Sequence, residues 1–205
     1  MTKISVSTYN NLKAKKDNFS SWAVWAEPDE NAKLLSSNME DLSIFDDVKI
    51  LDVLNPNIVL IGYSHSGVGV IKEMKLFENF HSSGPIYKLR YALKGTPLWG
   101  AYMTDIIKTI AHPDIPVIEK MLKEDPKEEE HNIDLFVEEF KELKVKNPIL
   151  VGLGIKTYEL LKKYSDDKLS NFKIERMIHY SARGKMQDRE KYRVRALQDI
   201  SQMEI

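Results

Sequence analysis

Apolar positions along this chain gather into short runs separated by segments of helical spacing. Ile58-Val59-Leu60-Ile61 is uninterrupted, the pattern of a strand buried on both faces of a parallel sheet, and it stops abruptly at Gly62. A second strand is expected from Leu98 to Ile107, interrupted by the polar groups of Thr104 and Asp105, and a third at Ile149-Leu150-Val151-Gly152-Leu153-Gly154. Phe172 to His179 gives a fourth, leading to Tyr180-Ser181-Ala182-Arg183-Gly184 and a long charged terminal helix. Met39 to Leu54 has a spacing nearer helix than strand, ended by Asn55-Pro56. Val70 to Phe80 reads as a helix or helical loop, and Pro85 to Leu93 as a short helix with proline in its first turn. His112 to His131 reads as an exposed connection with one short helix, Val117 to Lys123. Asn132 then caps a helix through Leu143, and another follows Gly154 through Tyr164.

Strands separated by helices imply a parallel sheet with right-handed crossovers. The expected fold is therefore α/β, a three-layer α/β/α sandwich around a central, mainly parallel four-stranded sheet. One domain over residues 1–205 accounts for the pattern, with 1–38 as an amino-terminal extension packed on it. That extension is polar apart from the aromatic knot Phe19-Ser20-Ser21-Trp22-Ala23-Val24-Trp25, which either packs back onto the domain or offers a stacking surface for bases.

Composition narrows the functional classes. With 205 residues, 42% hydrophobic and 30% charged, the chain can bury a sizeable core and is not disordered throughout. No apolar run approaches the roughly 20 residues that span a bilayer, and the first residues are too polar for a signal peptide, so a cytoplasmic protein with no membrane partner is expected. The absence of cysteine removes disulfides, thiolate nucleophiles and cysteine-bound metals. No His-Glu-x-x-His spacing occurs, and neither metal nor cofactor is expected. A net charge of −1 gives no general attraction to a polyanion, so nucleic acid would need a local basic surface. Arg183, Lys185, Arg189, Lys191, Arg193 and Arg195 form either such a phosphate track or a solvated helix with paired charges.

Candidate chemistry sits where the first strand runs out into Gly62-Tyr63-Ser64-His65-Ser66-Gly67, the kind of strand end at which open α/β sheets bind ligands. Glycine and serine there also serve simply to turn the chain and cap the next helix. Gly67-Val68-Gly69 suggests a phosphate cradle, but the full Gly-x-Gly-x-x-Gly and Walker patterns are missing.

The order of these pieces resembles the uracil-DNA glycosylase superfamily. The likeness is carried by the strand ending in Gly62 to Gly67, the strand Ala101 to Lys108, Asn147 to Tyr164, and the late strand ending in His179-Tyr180-Ser181. It covers most of the chain after Leu54 and implies a site for a base extruded from DNA, with hydrolysis of its N-glycosidic bond as the expected activity. The resemblance implies catalytic roles for Ser64, His65 and His179, and base contacts from Gly62, Tyr63, Asp105 and Ser181, with Phe77 or Phe80 as the stacking ring. Ser66, Arg183 and Lys185 would meet the nucleic-acid backbone. The chain departs from the family at three places: Ser64 stands where Asp or Asn is usual, and His65 and Tyr180 stand where proline is. His65 is then either a polar catalytic group or a local hydrogen-bonding residue, and Asp105 either a base reader or a carboxylate satisfied by backbone amides. A non-catalytic module binding a nucleic acid, nucleotide or protein on the same fold is the alternative function.

Overall fold

A computed structural model describes residues 3–15, 20–29, 36–67 and 75–205. Among them are six α-helices and a five-stranded mixed sheet. In chain order these are α1 (Val6–Lys13), β1 (Ser21–Trp22), β2 (Asn55–Ser64), α2 (Tyr87–Leu93), β3 (Ala101–Ile107), α3 (Ile115–Glu124), α4 (Pro126–Leu143), β4 (Ile149–Leu153), α5 (Ile155–Lys163), β5 (Ile174–Met177) and α6 (Arg189–Gln202). The strand order is β1-β3-β2-β4-β5. β3, β2, β4 and β5 run parallel, and β1 pairs antiparallel with β3 at the edge.

β2 is hydrogen-bonded on both sides, so its alternating side chains feed two cores. Val59, Ile61 and Tyr63 enter a cluster with residues of α1, α3, α4 and α5, while Ile58 and Leu60 enter a second cluster with residues of α2 and α6. β3 alternates in step: Tyr102 and Ile106 join the first cluster, Ala101 and Met103 the second. Burial on both faces explains why these strands read as continuous apolar runs.

Several sequence expectations are corrected. The sheet has five strands rather than four, because Ser21–Trp22 adds a two-residue edge too short to show a period. Met39–Leu54 is not one helix; it holds only 3-10 turns at Ser43–Phe45 and Val48–Asp52. Of the helix expected over Val70 to Phe80, residues 70–74 lie outside the described residues, as do Val68 and Gly69 of the cradle. Residues 75–80 form turns, and an α-helix is excluded there because Phe77 (φ 59°) and Phe80 (φ 65°) are left-handed. α4 begins at Pro126, not after Asn132, because Asp125 accepts hydrogen bonds from Lys127 N and Glu128 N. Asn132 is instead buried and braces the end of β3, accepting from Lys108 N (2.6 Å) and Thr109 N (3.0 Å). α1 was not expected; Ser5 caps it, and its Tyr9 and Leu12 reach the core. The last strand is confined to Ile174–Met177.

The amino-terminal segment holds the left-handed turn in place. Ser21 Oγ donates to Phe77 O (3.0 Å), Trp25 Nε1 to Phe80 O (3.0 Å), and His81 Nε2 to Trp22 O (3.2 Å). His81 is buried between the rings of Trp25 and Phe45, and desolvation pushes its pKa down to about 4. The unfolded chain therefore binds a proton near pH 6.5 that the native chain refuses until about pH 4. Stability is thus expected to fall as the pH drops from 6.5 toward 4, by at most on the order of 3 kcal/mol from this residue. Urea unfolding between pH 7 and pH 4.5 checks this, and the decline should be shallower in His81→Phe.

Candidate functional site

The parallel strands β2, β3 and β5 deliver their last residues to one edge of the sheet, where a cavity of about 690 Å³ opens. Register sets its floor. Gly62 on β2 pairs with Asp105 on β3, both on the sheet face that carries α2 and α6. A Cβ at Gly62 would collide with Asp105 Oδ1 and lie 3.3 Å from the Phe80 ring, so only glycine leaves room for the carboxylate. Asp105 is 5% exposed, and among the described residues Asn79 Nδ2 donates to its Oδ2 at 3.0 Å. Burial raises the Asp105 pKa, opposed by the Asn79 hydrogen bond and by the positive charge of Lys108 and His65.

Three imidazoles line this cavity, and a local turn fixes each. His65 Nδ1 accepts from Gly67 N (3.1 Å), His112 Nδ1 from Asp114 N (3.0 Å), and His179 Nδ1 from Ser181 N (3.1 Å). A backbone N–H can only donate, so in the neutral ring Nδ1 is the bare nitrogen and Nε2 carries the proton. At His179 the Ser181 hydroxyl also lies 2.6 Å from Nδ1 and can donate to it in this tautomer. Burial, and secondarily the Lys88 ammonium, pushes His179 down to about 4, so the ring is neutral at pH 7. Tyr180 stacks on it at 4.2 Å. At the end of β4, Gly154 (φ 89°) makes room for the His179 side chain, 3.1 Å from where a Cβ would stand.

The cavity brings together Gly62, Tyr63, Ser64, His65, Ser66, Phe80, Asp105, His179 and Ser181. Tyr63 lines it, but alternation assigns its side chain to the core of the opposite face, where burial and the Glu119 and Glu129 carboxylates raise its pKa. Phe77 is not a lining residue; its ring is fully buried against Tyr9 and Phe45, which leaves Phe80 as the candidate stacking ring. Arg183 and Lys185 are exposed and outside the cavity. On α6, Arg195 pairs with Asp199 at 2.8 Å in the i, i+4 manner, and Arg193 lies over the Tyr91 ring. Asn79, His112 and Tyr180 also line the cavity and were assigned no role from the sequence. The available signal for His112 was its position just beyond β3, the counterpart of His65 beyond β2.

A second cavity of about 580 Å³ lies among α3, α4 and α5, but its charges are largely matched, as in Glu119–Lys156 at 2.8 Å and Lys163–Glu129 at 2.5 Å. The cavity at the strand ends combines buried Asp105 with fixed imidazole donors and is the candidate site. Among the described residues no group of three or more His, Cys, Asp or Glu side chains could hold a metal ion, and no helix is long and apolar enough to cross a membrane. Comparison with protein-family models, curated proteins and solved structures gives no match to the chain.

Gly62→Ala is expected to destabilise the fold by about 1–3 kcal/mol, because Asp105 must move within a packed site; thermal unfolding measures this. Asp105 holds its proton more tightly in the native than in the unfolded chain. Its contribution to stability should therefore decline as the pH rises above 3.8, and Asp105→Asn should flatten that part of the stability profile.

Proposed function

We propose that this cavity binds a nucleobase of a nucleic-acid strand, and that the chain is a divergent α/β/α relative of the uracil-DNA glycosylases able to hydrolyse the N-glycosidic bond. One observation carries the reading: neutral His179, its Nδ1 occupied by Ser181, lines the same cavity as Asp105 and Phe80. Breaking the bond from base to sugar leaves its electron pair on the base and a cationic sugar carbon. A fixed Nε2–H at a base oxygen favours the departing anion, and it needs no reorganisation to do so. Phe80 offers a ring face to the extruded base, and Asp105 an edge contact. Water must then add to the sugar carbon and lose a proton, which the departed base anion takes up. Ser64 can orient that water by hydrogen bonding but supplies no negative charge.

A second reading is favoured by that same serine, and by the absence of Lys and Arg among the described residues that line the cavity. It is a non-catalytic module that holds a base without cleaving it. The two separate in a glycosylase assay on labelled single- and double-stranded DNA carrying uracil, hypoxanthine, xanthine or a G·T mismatch, followed by alkaline cleavage. Catalysis predicts abasic sites that fall roughly 100-fold or more in His179→Ala, the usual cost of a lost oxyanion donor, and that fall also in His65→Ala. Binding to DNA without cleavage of any substrate would leave the module. Cleavage unaffected by either substitution would remove the proposed site.

A further inference from the structure

We infer that the base selected by this cavity offers two adjacent N–H donors on its hydrogen-bonding edge, with guanine as the natural base of that pattern. The inference rests on the nucleobase reading above and specifies its substrate class. Its origin is the group that the sheet places on the floor of the site. A carboxamide presents one acceptor and one donor, and so matches an edge that carries both. Burial by itself disfavours the ionised carboxylate, but two parallel N–H donors favour that form, in which both oxygens are acceptors only.

Asn79 Nδ2 serves Oδ2 of Asp105, while Oδ1 stands over Gly62. Among the described residues no Lys or Arg lines the cavity, and the lining residue that acts electrostatically on the carboxylate is His65. Lys108 is engaged elsewhere, bonded to Glu139 at 2.6 Å and to Thr104 at 2.5 Å. A buried carboxylate with few donors is costly, and a ligand that brings two N–H groups is correspondingly favoured.

Guanine brings N1–H and N2–H side by side, with the O6 acceptor adjacent. In that orientation the base turns its donors to Asp105 and its oxygen toward the side that holds the His179 Nε2–H. Hypoxanthine lacks the 2-amino group, and uracil offers one N–H flanked by two carbonyls. Both leave one carboxylate oxygen facing either nothing or a carbonyl. A cavity of about 690 Å³ has room for a purine.

The test uses the full chain and five-nucleotide single strands of thymidine whose central residue is guanine, hypoxanthine, uracil or abasic, with affinities measured by calorimetric titration. Guanine should bind at least roughly tenfold tighter than hypoxanthine or uracil, the discrimination usual for a good bidentate contact. In Asp105→Asn, whose side chain has nearly the same shape, that preference should shrink to under about threefold while uracil gains. Uracil or hypoxanthine binding as tightly as guanine to the wild type overturns the inference and leaves the base pocket standing. If no strand binds better than the abasic one, both the inference and the nucleobase reading fail. The wild-type series decides the matter even where the variant does not fold.

Discussion

The structure turns on β2, a ten-residue strand paired with β3 on one side and, over Ile58 to Ile61, with β4 on the other. Because it is flanked on both sides, it must be apolar on both faces, and its alternation divides the interior into two clusters. The same pairing fixes what happens at its end. Once Val59 lies beside Tyr102 and Ile61 beside Thr104, Gly62 must lie beside Asp105. A carboxylate is thereby held at the mouth of the sheet, against a residue with no side chain to displace it. The position of the acid in the cavity follows from strand register and not from loop conformation.

The amino-terminal segment acts on the same region from outside. Ser21, Trp22 and Trp25 exchange hydrogen bonds with Phe77, His81 and Phe80, and so hold a turn in which two phenylalanines are left-handed. Bulky residues do not adopt that conformation without support. The support brings Asn79 to Asp105 and Phe80 to the cavity, while Phe77 goes into the core. The aromatic knot thus contributes to the site by bracing its wall.

How much of this was legible in the sequence depended on the range of the interaction. β2, β3 and β4 were visible because double-sided burial writes an apolar run directly into the chain, whereas β5 is an edge strand whose Ile174 and Met177 flank two charged residues. Gly62, Asp105 and His179 could be grouped because each follows the end of such a run or interrupts it. β1 was not legible, since two residues carry no period and their pairing with β3 is set by tertiary contact. The start of α4 was misplaced because Asn132, a good capping residue, is used to brace β3, while Asp125 does the capping. Phe77 and Phe80 could not be told apart, because two positive φ values reverse the helical expectation for their segment. Asn79 and His112 gain their place only through space.

The account centres on base binding at the strand ends, with His179 as a fixed donor. Its most direct measurement is the ¹⁵N and ¹H NMR signals of the imidazoles and of the Gly62, Asn79 and Asp105 amides, followed while a short single-stranded oligonucleotide is added. The account predicts saturable shifts at His179 Nε2 and at those three amides, with Nδ1 of His179 remaining the unprotonated nitrogen throughout. Shifts confined to the cavity among α3, α4 and α5, or no shift at any of these groups at saturating oligonucleotide, would contradict it.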